Sequence, residues 1–156
     1  MDKFELNKLF REKGRTLGSI ESFTGGGFAK EITSVSGASH FFKGAIVTYA
    51  TEEKVRILGI PYNDVDTYGV VSKEIAAQMA SNGKRLLNVD YCVSFTGNAG
   101  PTAMEGKPVG EVHIGIAFYD TTQVHSLQLE GTREEIQNKA IGIAFDLLEQ
   151  AILQNN

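Results

Sequence analysis

Apolar residues along this chain recur with two spacings, one typical of amphipathic helices and one typical of strands. Helical spacing predicts five helices, at residues 1–14, 24–35, 51–60, 72–87 and 132–153. Runs rich in β-branched and aromatic residues predict five strands, at residues 15–22, 44–50, 89–97, 110–119 and 122–130. Thr132 and Glu135 form a capping box at the start of the last helix, and Thr24 is the predicted N-cap of the second.

Predicted strands and helices alternate through most of the chain, and only the last two strands follow each other directly. A turn near Asp120 joins those two strands, which predicts a hairpin. We therefore expect an α/β fold, with one three-layer α/β/α domain and a mixed sheet over residues 1–156. The predicted core-facing sides of the helices include Phe4 in the first and Leu86 in the fourth.

Composition and charge restrict the function classes. The chain is 42% hydrophobic and 22% charged, with a net charge of -4 and no cluster of basic residues. These features argue against a nucleic-acid partner. No apolar segment is long enough to span a membrane, and the N-terminal segment lacks the apolar stretch of a signal peptide. Cys92, the single cysteine, has no partner for an internal disulfide. We expect a cytoplasmic protein without membrane or nucleic-acid partners.

Three loops follow predicted strands and raise the question of a ligand. Gly25, Gly26 and Gly27 separate the first strand from the second helix, in neither a Walker A nor a G-x-G-x-x-G pattern. Such a run either lets a phosphate approach a helix start or only permits a tight turn, and alone it favours neither. Residues 49–54 and 95–101 follow two further strands. Ligands bind beyond the carboxyl ends of strands in α/β sheets, so we expect one shared pocket.

Several short motifs agree in order and approximate spacing with one family. These are ESFTGG, GAS, YATEEKVRILGI, GVVS, TGNAGP and KPVGEVHIGIA. From about Phe4 to the last helix, the chain resembles the C-terminal domain of the CinA family, which also exists as a free-standing nicotinamide-nucleotide amidohydrolase. The resemblance implies a three-layer α/β fold and hydrolysis of nicotinamide mononucleotide to nicotinic acid mononucleotide and ammonia. It also implies a homo-oligomer, since relatives are often oligomeric, and it does not extend to the family's larger domain.

The resemblance also marks individual residues. The family's motif positions fall on Ser22, Ser39, Tyr49, Lys54, Thr96 and Arg133. The glycine run adds Thr24, Gly25 and Gly26 as phosphate-binding candidates, and Gly97 follows Thr96 in the third loop. We expect no metal or other cofactor, because the three histidines lack the spacing of metal ligands.

Amide hydrolysis requires a nucleophile, a base and a proton for the leaving amine. The histidines lie in strand-like segments or near a turn, and Cys92 is interpreted as a small buried hydrophobe. The remaining combination of nucleophile and base is a serine with a lysine. Lys54 acts as a base only if its pKa is lowered, which burial and a helix start would favour and Glu52 and Glu53 would oppose.

Our hypothesis is that Ser39 attacks the carboxamide while Lys54 takes its proton. Tyr49 would orient or relay that proton, and Ser22 and Thr96 would hydrogen-bond the substrate or the serine–lysine pair. Ser22 is the alternative nucleophile, and Arg133 would help to hold the phosphate.

Three departures from the family's motifs keep other functions open. Phe23 stands where relatives usually have cysteine, Ala38 replaces the first serine of the G-S-S motif, and Ala50 and Thr51 replace the usual Ser-Asn. A catalytically inactive nucleotide-binding or regulatory module is therefore the alternative. A third possibility is an interaction protein tied to DNA uptake or repair, which the acidic balance disfavours.

Overall fold

The computed structural model describes residues 1–155, which form six α-helices and five strands. In chain order the elements are α1 (Lys3–Lys13), β1 (Leu17–Glu21), α2 (Gly27–Thr33), β2 (Phe42–Val47), α3 (Thr51–Arg56), α4 (Tyr62–Tyr68), α5 (Lys73–Leu87), β3 (Tyr91–Gly97), β4 (Glu111–Phe118), β5 (Thr121–Gln128) and α6 (Arg133–Asn155). A short 3-10 helix, Ala38–His40, precedes β2. Among these residues no helix is both long and apolar enough to cross a bilayer.

The five strands form one mixed sheet in the order β2-β1-β3-β4-β5. β1 lies between β2 and β3 and runs parallel to both, so that Leu17 pairs with Phe42 on one side and Tyr91 on the other. β3 and β4 are antiparallel, and β4 and β5 form the predicted hairpin. The α/β fold with a mixed sheet is therefore confirmed.

Helices cover both faces of the sheet. A larger core, which includes Phe10, Phe28 and Phe145, joins α1, α2 and α6 to one face. A smaller core, which includes Ile75 and Met79, joins α4 and α5 to the other face. The alternation of side chains along β4 explains this division, because Val112, Ile114 and Ile116 all belong to the larger core.

Glycine brings α5 unusually close to the sheet. A methyl group built on Gly115 in β4 would lie 2.7 Å from the carbonyl oxygen of Ala76. A methyl group on Gly83 in α5 would overlap the side chain of Ile20 in β1. Both contacts leave no room for a Cβ atom, so these glycines set the spacing between the helix and the strands.

The structure corrects several local predictions. α2 begins at Gly27, and its N-cap is Gly26 instead of Thr24. α4 was not predicted, because a seven-residue helix leaves too little sequence for a periodic pattern. Phe4 is 61% exposed and Leu86 is 50% exposed, so neither belongs to the core. The capping box is confirmed, with the Thr132 backbone N–H donating to Glu135 Oε1 over 2.9 Å.

Candidate active site

A cleft of about 510 Å³ opens at the carboxyl ends of the three parallel strands. Its walls come from the segments after β1, β2 and β3 and from the start of α6. The lining side chains that carry chemistry are Ser22, Tyr49, Thr51, Lys54, Thr96, Thr102 and Arg133. The predicted convergence of three loops is thus present, because β1, β2 and β3 lie side by side and end at one edge.

Lys54 is the most unusual side chain of the cleft. Only 1% of its surface is exposed, although α3, which carries it, has six residues and lies at the surface. Its Nζ donates to Ser22 Oγ over 3.0 Å and to the carbonyl oxygen of Thr48 over 2.6 Å. These contacts fix the amine beside the Ser22 hydroxyl.

Burial lowers the pKa of Lys54 to about 8, against the opposing influence of Glu105 and Glu52. The expected opposition from Glu52 is therefore present, whereas Glu53 pairs with Arg56. At pH 7 a pKa near 8 leaves about one amine in ten neutral, many times more than for an ordinary lysine. The amine is therefore available both as a proton acceptor and, once protonated, as a proton donor.

Ser22, and not Ser39, is the serine that the structure brings to Lys54. Ser22 follows β1 directly and is 9% exposed. Ser39 is exposed in the 3-10 helix that precedes β2, whereas Lys54 follows the carboxyl end of β2. Six residues of strand separate these ends by roughly 20 Å. The predicted pairing of Ser39 with Lys54 is therefore corrected, because the two side chains lie at opposite ends of the sheet.

Thr96, Tyr49 and Arg133 line the cleft, but none of them has a hydrogen bond to Lys54 among the described residues. Thr96 is buried at the end of β3, and its hydroxyl donates to the carbonyl oxygen of Val70 over 2.6 Å. Arg133 donates to Tyr49 Oη over 3.0 Å and to the carbonyl oxygen of Gly100 over 2.8 Å. Arg133 is thus held at the cleft by two partners, although it is the first residue of α6.

The donors at the start of α2, just after the glycine run, are bonded to a side chain of the same chain. The buried carboxyl of Glu21 accepts hydrogen bonds from the hydroxyl of Thr24 and from the backbone N–H groups of Phe28 and Ala29. The start of α2 therefore already has an acceptor from within the chain. Thr24, Gly25 and Gly26 do not line the cleft, whereas Gly97 does.

Glu105 does not line the cleft but holds two of its walls together, and no pattern in the sequence indicated this role. Its two carboxyl oxygens accept the backbone N–H groups of Val70 and Val71, each over 3.1 Å. These contacts fasten the loop after β3 to the segment before α5, and both loops line the cleft. Only the folded chain brings these segments together, 34 and 35 residues apart.

The other residues weighed for catalysis lie outside the cleft. Cys92 is fully buried, and burial raises the pKa of its thiol, in agreement with a structural role. His113 lies beside Thr96 in the sheet, with its two ring nitrogens 2.8 Å from Ser126 Oγ and from Glu111 Oε2. Within residues 1–155 no three His, Cys, Asp or Glu side chains are grouped as metal ligands.

Comparison with known proteins places the chain in a family. The model of the CinA C-terminal domain matches residues 3–152. A competence-damage inducible protein of Thermoanaerobacter sp. (strain X514) is 42% identical over 147 residues, which are 94% of this chain and 36% of that protein. Its counterpart in Streptococcus pneumoniae (strain ATCC 700669 / Spain 23F-1) is 39% identical over 93% of this chain and 35% of its own length. The chain thus spans about a third of these relatives.

Solved structures share the fold over nearly the whole chain. Competence damage-inducible protein A from Klebsiella pneumoniae superposes with a TM-score of 0.95 over 100% of both chains at 24% identity. Competence/damage inducible protein CihA from Agrobacterium tumefaciens has a TM-score of 0.90 and 28% identity, and the match covers 95% of this chain and 92% of that one. With the family match over residues 3–152, the chain belongs to the family of the CinA C-terminal domain.

Proposed function

We propose that this chain hydrolyses the carboxamide of nicotinamide mononucleotide, with Ser22 as the nucleophile and Lys54 as the base. The observation that carries the proposal is the buried hydrogen bond between Lys54 Nζ and Ser22 Oγ, 3.0 Å long, at the wall of a ligand-sized cleft. A lysine whose pKa is lowered to about 8 by burial activates a serine in the same way as a histidine base would.

The reaction uses this pair twice. The neutral amine of Lys54 accepts the Ser22 proton while Ser22 Oγ bonds to the carboxamide carbon, and the carbonyl π electrons move to oxygen. When the tetrahedral intermediate collapses, the C–N bond breaks and the Lys54 ammonium gives its proton to the departing nitrogen, which leaves as ammonia. Lys54 then takes a proton from a water molecule while the water oxygen bonds to the acyl carbon of the Ser22 ester. When this second intermediate collapses, the bond from the acyl carbon to Ser22 Oγ breaks and the Lys54 ammonium returns the proton to Oγ, which yields the carboxylic acid and restores the serine.

Thr96 is suited to orient the carboxamide. Its hydroxyl hydrogen is already donated to Val70, so toward the cleft the oxygen offers only lone pairs. These lone pairs can accept a hydrogen bond from an N–H group, and the carboxamide NH₂ of the substrate provides such a donor. The ionised carboxylate of the product has no such donor, which favours binding of the substrate over the product.

Arg133 is our candidate for the phosphate of the nucleotide. Its guanidinium is fixed at the cleft by Tyr49 and Gly100 and has further N–H donors for an anion. The earlier candidates Thr24, Gly25 and Gly26 are less suited, because Glu21 already occupies the donors at the start of α2. Two cationic side chains, Arg133 and Lys54, in the cleft of a chain with net charge -4 favour an anionic ligand.

The test is release of ammonia from nicotinamide mononucleotide by the purified, chelator-treated protein and three variants. We expect Ser22→Ala and Lys54→Met each to lower kcat/KM at least about a hundredfold, because each removes a participant in the bond-making step. Ser39→Ala is the matched control and should stay within about twofold, since its side chain is far from Lys54. Loss of activity in Ser39→Ala alone would reverse the assignment of the nucleophile.

A nucleotide-binding module without catalysis is the second candidate. It is favoured by Phe23, which lines the cleft beside Ser22 where relatives usually have cysteine. Equilibrium dialysis separates the two candidates. Tight binding of the mononucleotide by well-folded protein, without ammonia release at any pH between 6 and 10, would favour the binding module.

A further inference from the structure

The two edge strands of the sheet, β2 and β5, differ in how well they are protected against pairing with another strand. An edge strand carries backbone N–H and C=O groups that have no partner in the sheet. Proteins usually protect such an edge with lysine, proline or a β-bulge, because an unprotected edge pairs with other chains. Both edges belong to the same chain, so their protection can be compared directly.

β2 has two of these protections. Leu17 of β1 pairs with Phe42 and Gly18 pairs with Gly44, so Lys43 is an extra residue that forms a bulge in β2. The Lys43 side chain is also exposed, and its charge would lie close to any strand added there. A further strand is therefore hindered from pairing with β2.

β5 has none of these protections. Its eight residues, TTQVHSLQ, include no lysine, arginine, carboxylate, proline or glycine. They pair with β4 in a continuous register from Thr121 to Gln128, without a bulge. The strand is also longer than the roughly five or six residues of a typical strand. An edge of this length and composition is an effective template for one more strand.

Every second residue of β5 directs its backbone groups away from β4. The Leu129 N–H donates to the Gly110 carbonyl oxygen over 2.8 Å, and these two residues continue the register of the β4–β5 pair. Hydrogen-bonded and non-hydrogen-bonded pairs alternate along an antiparallel ladder. The outward-directed groups therefore belong to Thr122, Val124, Ser126 and Gln128. In the part of the chain that the structure describes, these groups have no backbone partner outside β4.

We propose that two copies of this chain associate through β5, antiparallel about a two-fold axis, so that their five-stranded sheets join into one. With the axis at His125, Val124 of one copy lies opposite Ser126 of the other, and Thr122 lies opposite Gln128. In this register all four outward-directed residues pair with one another, through about eight backbone hydrogen bonds. The two-fold axis closes the assembly, because each copy then uses its only unprotected edge.

A head-to-tail arrangement, in which β5 of one copy pairs with β2 of the next, fits the structure less well. Such pairing would leave a free edge at each end and would build an open chain of copies. The bulge at Lys43 opposes it, because the bulge interrupts the regular spacing of the groups that β5 would meet.

The charges near the two ends of β5 also favour the antiparallel arrangement, which brings the first residues of one β5 beside the last residues of the other. Lys84 and Arg85 of α5 line a surface cavity beside the first residues, together with Asp120. Glu130 follows the last residues, and its exposed carboxyl has no ion pair among the residues described. Lys139 contacts only the carbonyl oxygen of Glu130. Two cations and one carboxylate of each copy therefore face the Glu130 carboxylate of the other.

Sedimentation equilibrium of the intact chain measures the association, and we expect a reversible dimer. Val124→Pro removes an outward N–H that β4 does not use, and edge strands tolerate proline. It should raise the dissociation constant at least about tenfold, because each copy then leaves a carbonyl oxygen of the other unpaired. Val124→Thr is the matched control, since it keeps the N–H and the β-branched shape. It should change the dissociation constant less than about threefold. Circular dichroism verifies that each variant is folded.

Cysteine cross-linking tests the register independently. His125 lies opposite its own counterpart in a non-hydrogen-bonded pair, where the Cα atoms are about 4.5 Å apart and a disulfide fits. His125→Cys should therefore form a disulfide-linked dimer on mild oxidation. Gln123→Cys is the control, because its two copies would lie roughly 13 Å apart along the strands. The native Cys92 is fully buried and should not cross-link.

Three results would overturn the proposal. One is a wild-type chain that stays monomeric up to its highest soluble concentration. Another is a folded Val124→Pro variant that dimerises as tightly as the wild type, which would assign the interface to another surface. The third is cross-linking of Gln123→Cys as readily as His125→Cys, which would exclude the two-fold pairing. If Val124→Pro does not fold, the two cysteine variants decide.

Discussion

At the scale of single residues, the side chain of Lys54 is almost completely buried. The unfolded chain holds the Lys54 proton up to the ordinary pKa of 10.5, whereas the folded chain releases it near 8. Between these values the unfolded state binds more protons, so this residue makes stability rise with pH. Below pH 8 the full penalty of the buried charge is present.

This penalty predicts a pH-dependent difference in stability between the wild type and Lys54→Met. Methionine fills a similar volume without a charge, so only the wild type responds to this titration. From pH 7 to pH 9 the wild type should gain about 1.4 kcal/mol in free energy of unfolding relative to the variant. Urea denaturation of both proteins at the two pH values measures the difference. A difference that does not change with pH would mean that Lys54 titrates normally.

The same titration predicts the pH dependence of the proposed reaction. If the neutral amine is the base, kcat/KM should rise about tenfold between pH 7 and pH 9 and bend near pH 8. The measurement is initial ammonia release under substrate-limiting conditions. A flat profile over this range would exclude Lys54 as the base while leaving its structural burial intact.

At the scale of the elements, the loop after β3 is held to the segment before α5 by one side chain, Glu105. The same carboxyl raises the pKa of Lys54 and so partly offsets the effect of burial. Glu105 therefore influences both the position of the loop after β3 and the protonation of the Lys54 amine. The link is absent from the sequence pattern, because Glu105 lies in a loop without periodicity.

Glu105→Gln should therefore lower the kinetic pKa assigned to Lys54 below 8. Glutamine keeps one oxygen as an acceptor for the loop but removes the charge that favours the ammonium form. The pH profile of kcat/KM measures this shift. Glu53→Gln is the control, since Glu53 pairs with Arg56 and does not influence Lys54. A kinetic pKa that stays the same or rises in Glu105→Gln would contradict the assignment.

The sequence predicted which segments form helices and strands better than it predicted which side chains meet in the cleft. Strong periodicity located α5 and α6, and the capping box located the start of α6. Carboxyl-end loops were correctly expected to converge, because parallel strand topology requires it. The choice between Ser22 and Ser39 was within reach of the predicted strands, because Ser22 ends the first strand, whereas Ser39 precedes the second strand and Lys54 follows it. The motif positions implied by the resemblance were given more weight than this placement.

At the scale of the whole molecule, the distance between layers depends on two glycines. Gly83 in α5 packs on Ile20 and Cys92, and Gly115 in β4 packs on Ala76. α5 therefore lies close against the three central strands. A sequence cannot show which of its 17 glycines have this role, because a helical glycine looks the same whether it faces the sheet or solvent.

Two helical glycines should respond oppositely to alanine. At Gly83 a methyl group overlaps Ile20 and lies 3.0 Å from Cys92 Sγ, so Gly83→Ala should lower the free energy of unfolding by about 1–2 kcal/mol. Gly142 is exposed in α6 with nothing within 4 Å of an added methyl, and Gly142→Ala should raise it by about 1 kcal/mol. Urea denaturation measures both. Stabilisation by both substitutions would mean that α5 is free to move away from the sheet.

The hydrogen bonds of the Glu21 carboxyl at the start of α2 have a consequence for ligand binding in the cleft. These bonds fasten the turn after β1 to the start of α2 without any bound ligand. Ser22, the residue after Glu21, is therefore held in a fixed position before a ligand binds. Binding then carries no entropic cost for ordering this side chain. The amide protons of Phe28 and Ala29 should exchange slowly with solvent in the free protein, and just as slowly when the cleft is filled.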